Sequence, residues 1–417
     1  MIASETKTPF VAIACGGTGG HLFPGLAVAE ELKKRGCQIA LLISPKDIDQ
    51  QSVKSITDIE VLTLPAVGLQ NRNYFSFAKS FWKSFRASRR IFKQRKPDAV
   101  LAMGGFTSAP PVLAARKFGV KTFLHESNTI PGKANRFLAR FVDEAFVGFS
   151  EAAARLRAKK VSVTGTPVRP QFQPRDSATC RTALGLDSNY PTILVMGGSQ
   201  GASGLNEMIL SALPLLPEKN WQWLHLTGAN DFEKVKQAYI TRGIKAVVKP
   251  FLAEMDLALG AATMCVSRSG ASSLAEIAAM RLPSLLVPFP AAADNHQFFN
   301  ASAFEKTDAA KLLEQKNSTP ERVAALLRDL IEDSAAREKI QAALAQWHAP
   351  KAAEQIAQNI LQAIGAGALK STRHQAPTSR EIPSSNHQTV ARAGIFGAWF
   401  LVLLWCLDVG AWSLFRP

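Results

Sequence analysis

Three short stretches of this chain carry residues whose type and spacing suit anion chemistry. Gly16-Gly17-Thr18-Gly19-Gly20-His21 follows an apolar run, Phe10–Cys15, and precedes an amphipathic one, Leu22–Arg35. Glycines at such a turn let a phosphate or sugar approach the backbone closely. The first N–H groups of the following helix then point partial positive charge at it. Gly197-Gly198-Ser199-Gln200-Gly201-Ala202 repeats the arrangement, and its Ser199 has a hydroxyl to donate to a phosphate oxygen. Arg169, in Thr164-Gly165-Thr166-Pro167-Val168-Arg169, offers a guanidinium that can pair a diphosphate and stabilise its charge as it leaves. In isolation one such turn is as readily a plain tight turn, and Arg169 a surface arginine on a linker. Repetition of the turn after successive apolar runs shifts the balance toward ligand binding, because ligands of open α/β sheets sit at strand C-terminal ends. A dinucleotide fingerprint GxGxxG would need glycine where Leu22 stands, and no GxxxxGK[ST] follows any apolar run.

The elements that must position these residues follow the same rhythm. Apolar run, glycine turn and helix recur at Ala99–Met103, Gly104-Gly105 and Ser108–Phe118, and at Thr263–Ser267, Gly270 and Ala271–Met280. Fully apolar strands alternating with helices predict parallel sheets covered on both faces. Two series of such units predict an α/β chain of two Rossmann-like, doubly wound domains facing a cleft. Pro167, Pro170 and Pro174 interrupt the periodicity and place the boundary within Gly165–Asp187. One helical stretch, Pro320–Ala345, closes the second domain, and Ala352–Ile364 returns to the first. The expected division is 8–168, 169–348, a returning helix at 349–365, a polar linker at 366–392 and an apolar segment at 393–415.

Composition narrows the partners. A chain of 417 residues exceeds what one core supports, and 47% hydrophobic with 20% charged residues is globular usage. A formal net charge of +16 calls for an anionic partner: nucleic acid, a phosphorylated ligand or a lipid surface. No RNA-binding, zinc-finger or helix-turn-helix signature appears, so nucleic acid is not expected. The five cysteines include no CxxC pair, which predicts neither a zinc site nor a disulfide framework. Met1–Pro9 is polar and lacks a signal-peptide core, so the catalytic body is expected in the cytosol.

Half of the net charge comes from Tyr74–Pro97, with Lys79, Lys83, Arg86, Arg89, Arg90, Lys93, Arg95 and Lys96 and no acidic residue. Phe77, Phe81, Phe85 and Phe92 share a helical face expected to meet the core. The opposite basic face is expected to attract anionic lipid at about 1 kcal/mol per charge. Ala393–Phe415 is expected to associate with the membrane, either spanning it or lying in its interface. Asp408 within the run and Trp412 near its end leave both open.

Seven stretches then occur in a fixed order: Gly16–His21 with Leu22–Ala27, Met103–Ser108, His125–Asn128, Gly165–Arg169, Gly197–Ala202, Ser267–Ala271 through Glu276, and Asp294–Gln297 with Asn300-Ala301. Together they resemble the MurG family of UDP-N-acetylglucosamine:undecaprenyl-diphospho-muramoylpentapeptide N-acetylglucosaminyltransferases, over roughly residues 10–365. The resemblance implies a GT-B fold with the donor mainly on the second domain and the acceptor lipid on the first. It implies UDP-N-acetylglucosamine contacts at Thr18, Gly19, Gly20, Asn128, Arg169, Ser199, Leu252, Ala271, Ser272, Ser273, Leu274, Ala275, Glu276 and Gln297. Glu276 would accept from the ribose hydroxyls, and Leu252 would sit beside uracil. Thr166 and Ser127 depart from the usual pattern, which has asparagine and glutamine there, and the tail beyond about Gly367 is not part of it.

The implied reaction moves N-acetylglucosamine to the 4-hydroxyl of a lipid-linked N-acetylmuramic acid, with inversion. Inversion needs one general base. His21 is the first choice because an imidazole suits proton transfer near neutrality. Glu126 is the second catalytic candidate, with His125 beside it. No cluster of acidic residues suited to a divalent metal follows a strand, so no metal or other cofactor is expected. The expected place of work is the cytoplasmic side of the inner membrane, bound peripherally. The alternatives are a transferase of the same fold with another acceptor, such as diacylglycerol, and a non-catalytic basic module.

Overall fold

The structure, a computed structural model, describes residues 8–46, 49–50, 53, 58–66, 74–198, 201–216 and 221–366. Ser199, the linker from 367 to 392 and the apolar segment 393–415 lie outside the described residues.

Seven strands form the first sheet: β1 (Phe10–Ala14), β2 (Gln38–Ile43), β3 (Glu60–Thr63), β4 (Ala99–Ala102), β5 (Lys121–Glu126), β6 (Glu144–Val147) and β7 (Val161–Val163). Their order is β3-β2-β1-β4-β5-β6-β7, and every pairing is parallel. The connecting helices include α1 (Gly19–Lys34), α2 (Tyr74–Gln94), α3 (Ala109–Lys117), α4 (Lys133–Leu138) and α5 (Ser150–Ala153). The second sheet holds β8 (Thr192–Met196), β9 (Gln222–Leu226), β10 (Ala246–Lys249), β11 (Met264–Ser267), β12 (Ser284–Leu286) and β13 (Lys311–Leu312), in the order β10-β9-β8-β11-β12-β13. It too is parallel throughout. Its helices are α6 (Ser177–Ala183), α7 (Ser203–Ala212), α8 (Phe232–Thr241), α9 (Met255–Ala261), α10 (Ala271–Met280), α11 (His296–Glu305), α12 (Pro320–Glu332) and α13 (Ser334–Trp347), and α14 (Ala352–Ala363) comes last.

The central strands β1, β4, β8 and β11 are buried along their whole length. That is why their sequences are continuous apolar runs: helices cover both faces. Strand order reverses between β1 and β4 in one sheet and between β8 and β11 in the other. Ligand crevices of open α/β sheets lie at such reversals. All four glycine turns singled out in the sequence follow one of these four strands.

Both chain crossings between the sheets run through one spot. Gly165 has φ +79°, and a Cβ there would stand 2.2 Å from the Cβ of Ala349 on the returning crossing. After that crossing, Ile356, Ala357 and Ile360 of α14 bury into the core under the first sheet, beside α1. Between the sheets, Trp347 stacks on Phe304 at 4.3 Å and tilts against Phe149 at 5.4 Å.

Two local expectations need adjusting. The helix expected over Pro320–Ala345 is two helices. Asp333 has φ −84° and ψ 98°, and its carboxylate accepts the Ala336 N–H at 2.9 Å, capping α13. In α2, Phe77, Phe85 and Phe92 are buried with Ser80, Ser84 and Ser88, and α2 packs on α3. Phe81 is only partly buried. Lys79, Lys83, Arg86, Arg89, Arg90 and Lys93 are all exposed.

Candidate active site

The loops after β1, β4, β8 and β11 open onto one cleft of about 1060 Å³ between the sheets. Its first wall is the start of α1. Thr18 is extended, and the helix begins at Gly19 with no side-chain cap, so its first N–H groups face the cleft. Pro24 sits inside α1 and withholds the N–H that would otherwise bond the Gly20 carbonyl. His21 lies in the first turn with its imidazole flat against Gly104 and Gly105. These two glycines have φ +105° and +74°, and a Cβ on either would come within 3.0 Å of the ring. Only glycine lets the imidazole sit there. His21 Nδ1 is buried outside good hydrogen-bond geometry, with the Met103 backbone the polar group nearest to bonding the ring. Burial holds the His21 pKa below its ordinary value, against the opposing pull of Glu126, so the ring is neutral at neutral pH.

Glu126 and His125, at the end of β5, are both engaged by neighbouring polar groups. Glu126 Oε1 accepts from the Asn128 N–H at 2.8 Å and its side-chain amide at 3.0 Å. Oε2 accepts from the Gly132 N–H at 2.9 Å and the Asn135 amide at 2.8 Å. A buried carboxylate with four donors ties together the loop before α4. His125 is fully buried. Its Nε2–H donates to the Gly165 carbonyl at 3.1 Å, and Nδ1 accepts from the Ser127 hydroxyl at 3.2 Å. Burial pushes its pKa down to about 4, which leaves it a neutral strut under the interdomain crossing.

The second wall is the start of α10. Gly270 is its extended N-cap, with no side-chain cap, and Ala271, Ser272 and Ser273 of its first turn line the cleft. Two helix N-termini, one from each domain, therefore face the same space. Arg169 reaches in from the crossing. Its guanidinium lies over the Phe23 ring at 4.3 Å and the Phe172 ring at 5.0 Å, with Nη2 3.8 Å from Glu276 Oε1. Its Nε is buried with no partner among the described residues. Burial raises the Glu276 carboxyl to about 7, although Arg169 pulls the other way.

Of the residues expected to touch a donor, Thr18, Gly19, Gly20, Asn128, Arg169, Leu252, Ala271, Ser272, Ser273, Glu276 and Gln297 line this cleft, as do His21 and Glu126. Leu274 and Ala275 do not. Leu274 is fully buried and belongs to the second-domain core, because the helical turn carries it to the far face of α10 from the cleft. The sequence alone marks no role for Phe23, Asn135 or Asn300. Phe23 is the platform for Arg169, and nothing local marks a residue whose partner is that far along the chain. Asn300 joins the domains: its Oδ1 accepts from the Thr129 N–H at 3.0 Å and hydroxyl at 2.9 Å, and its Nδ2 donates to Asn128 Oδ1 and the Ser269 carbonyl. At the rim, Arg136 pairs with Asp294 at 2.9 Å.

Comparisons with known proteins agree with this geometry. Residues 11–147 match the glycosyltransferase family 28 N-terminal domain and residues 192–375 its C-terminal domain. A protein of Listeria welshimeri named UDP-N-acetylglucosamine–N-acetylmuramyl-(pentapeptide) pyrophosphoryl-undecaprenol N-acetylglucosamine transferase is 34% identical over 358 residues, 84% of this chain and 98% of its own length. One of the same name from Anaeromyxobacter is 36% identical over 361 residues, 83% of this chain and 91% of its own. The crystal structure of Acinetobacter baumannii MurG superposes with a TM-score of 0.67 at 27% identity, covering 85% of this chain and 99% of that one. The chain is a GT-B glycosyltransferase, and it belongs to the MurG family of N-acetylglucosamine transferases.

Proposed function

We propose that this chain moves N-acetylglucosamine from UDP-N-acetylglucosamine to the 4-hydroxyl of undecaprenyl-diphospho-N-acetylmuramoyl-pentapeptide, inverting the anomeric carbon and forming lipid II for peptidoglycan synthesis. The observation that carries this reading is the meeting of two helix N-termini, a neutral imidazole and a half-satisfied guanidinium in one cleft. The names of the relatives support the choice of donor and acceptor.

The second domain holds the donor and the first domain the acceptor. The uracil lies by Leu252 and the ribose hydroxyls bond Glu276. The diphosphate meets Arg169 and the first turn of α10, where fixed N–H dipoles and a guanidinium stabilise the charge that grows as UDP leaves. Arg169 Nε gains an acceptor from a diphosphate oxygen, and Gln297 and Asn128 hold the sugar. His21 takes the proton from the acceptor hydroxyl as it attacks in line. Such general-base assistance is worth about 10²–10⁴ in rate. The enzyme works at the cytoplasmic face of the inner membrane, where the basic face of α2 meets anionic lipid.

The experiment is transfer by the full chain, in detergent and EDTA, to a lipid-linked N-acetylmuramoyl-pentapeptide and in parallel to diacylglycerol. Transfer to the muramoyl lipid alone supports the reading. Preferential use of diacylglycerol would assign another acceptor. Loss of transfer in EDTA, restored by magnesium, would replace the metal-free account of the leaving group.

A further inference from the structure

The peptide that joins Gly16 to Gly17 is held by side chains from two other loops. Asp49 is fully buried. Its Oδ2 accepts the Gly17 N–H at 2.6 Å, the Ser44 N–H at 3.2 Å and the Ser44 hydroxyl. Lys46 donates from Nζ to the Gly17 carbonyl at 3.0 Å. Thr107 donates its hydroxyl to the Gly16 carbonyl at 2.6 Å. The turn has no slack: Gly17 has φ +112°, and a Cβ on Gly16 would stand 2.3 Å from the Ser44 nitrogen, at the end of β2.

Asp49 is an expensive residue to bury. Its Oδ1 has no partner among the described residues, and an ionised carboxyl loses its hydration on burial. An apolar side chain would fill the space without that loss. What the carboxylate supplies instead is a fixed acceptor for Gly17 N–H. Gly17 stands one residue before the extended Thr18 and two before the start of α1. The orientation of this peptide therefore bears on where the first turn of α1, and His21 with it, points.

We infer that Asp49 and Thr107 on the Gly16–Gly17 peptide, with Lys46 on the following carbonyl, position the glycine turn for transfer and so aim the first turn of α1 and His21 into the cleft. Asp49 does not touch the substrate in this account; it acts through the glycine turn. The kinetic part rests on the transferase reading above, and the structural part does not. Displacing a reacting group by about 1 Å costs on the order of 10²-fold in rate, so loosening the turn acts on turnover more than on donor affinity.

The test compares full-length Asp49→Ala, Thr107→Val and Lys46→Met with the wild type by two readouts. The first is deuterium uptake in peptides covering residues 16–23. The second is kcat and donor KM. All three variants are expected to exchange faster in 16–23 with the second sheet unchanged. Their kcat falls about tenfold or more, and donor KM, set mainly by the second-domain contacts, rises by a smaller factor. Asp49→Asn, which keeps an oxygen for Gly17, recovers most of the loss. Lys46 is exposed and its replacement does not threaten the core, so Lys46→Met and Thr107→Val carry the comparison if Asp49→Ala fails to fold. Unchanged exchange in 16–23 overturns the inference. So does a kcat loss that only tracks the loss of folded protein, with Asp49→Asn no better than Asp49→Ala. A wild type inactive on the lipid acceptor would sink the transferase reading, and the exchange arm would still decide the positioning.

Discussion

Asn300 Nδ2 donates to Asn128 Oδ1 at 3.0 Å, and this bond crosses from the second domain to the first. Asn128 in turn donates twice to Glu126, so one line of hydrogen bonds runs from α11 to the end of β5. Asn300 is fully buried with its side-chain oxygen and nitrogen both engaged. Each buried group left unpaired costs about 1–3 kcal/mol. Asn300→Ala should therefore lower unfolding stability by about 2 kcal/mol or more. Asn300→Asp should keep Thr129 satisfied but lose the bond to Asn128, weakening donor binding beyond its effect on stability. Denaturant melts and donor calorimetry check this. Wild-type donor affinity in a folded Asn300→Asp would show that the line does not set the sugar subsite.

His21→Ala should lower kcat by about 10²-fold or more while donor affinity stays nearly constant. The His21 pKa is held below its ordinary value by burial, so the base form persists as pH falls. The acid limb of kcat/KM for the acceptor, at saturating donor, should then lie below the ordinary histidine value of 6.5. A rate profile from pH 5 to 8 measures it. An acid limb above 6.5, or full turnover in His21→Ala with chemistry rate-limiting, would remove the imidazole from this role.

Glu276 makes donor binding depend on pH. Burial lifts its carboxyl to about 7, so in the free protein it takes up a proton as pH falls through neutrality. Ribose hydroxyls bond the ionised form better, so binding below pH 7 releases a proton and affinity falls as pH falls. The limit is about tenfold per pH unit. Calorimetry with UDP-N-acetylglucosamine at pH 6, 7 and 8 should show this trend, flattened in Glu276→Gln. The same slope in both proteins would assign the proton elsewhere.

Much of the site was legible in the sequence because its parts are local. A glycine turn between an apolar run and a helix is a contiguous pattern, and the four turns that show it lie at the two strand-order reversals. The features hidden from sequence are long-range or directional. The partners of Asn300 on the first domain lie 171 and 172 residues away, so no window contains the relationship. Glu126 reads in the sequence as a candidate base, and the four donors around its carboxylate are visible only once the loop before α4 is folded. Leu274 shares a motif with its neighbours, yet helical periodicity turns it from Ser273 and Glu276 toward the core. The break at Asp333 had a readable signal, an aspartate ready to cap the helix after it, but the apolar periodicity ran through it.

The basic residues of α2 give a prediction about the membrane. Phe77, Phe85 and Phe92 face the core, while Phe75 at the start of the helix and the basic side chains are exposed. Reversing Lys83, Arg86 and Arg90 to glutamate should reduce sedimentation with anionic vesicles about tenfold or more, at about 1 kcal/mol per charge. The melt should be unchanged. Retained binding in the triple variant would place the docking surface elsewhere.

The most direct measurement is the anomeric configuration of the product. The full chain is incubated with UDP-N-acetylglucosamine and the undecaprenyl-linked muramoyl-pentapeptide. The lipid product is then isolated for mass and for the coupling constant at the new anomeric proton. The account predicts one UDP released per lipid, a gain of one N-acetylhexosamine and a β-linkage to the 4-position. An α-linked product would contradict single in-line attack with His21 as base, and UDP release without any change in the lipid would contradict the transfer itself.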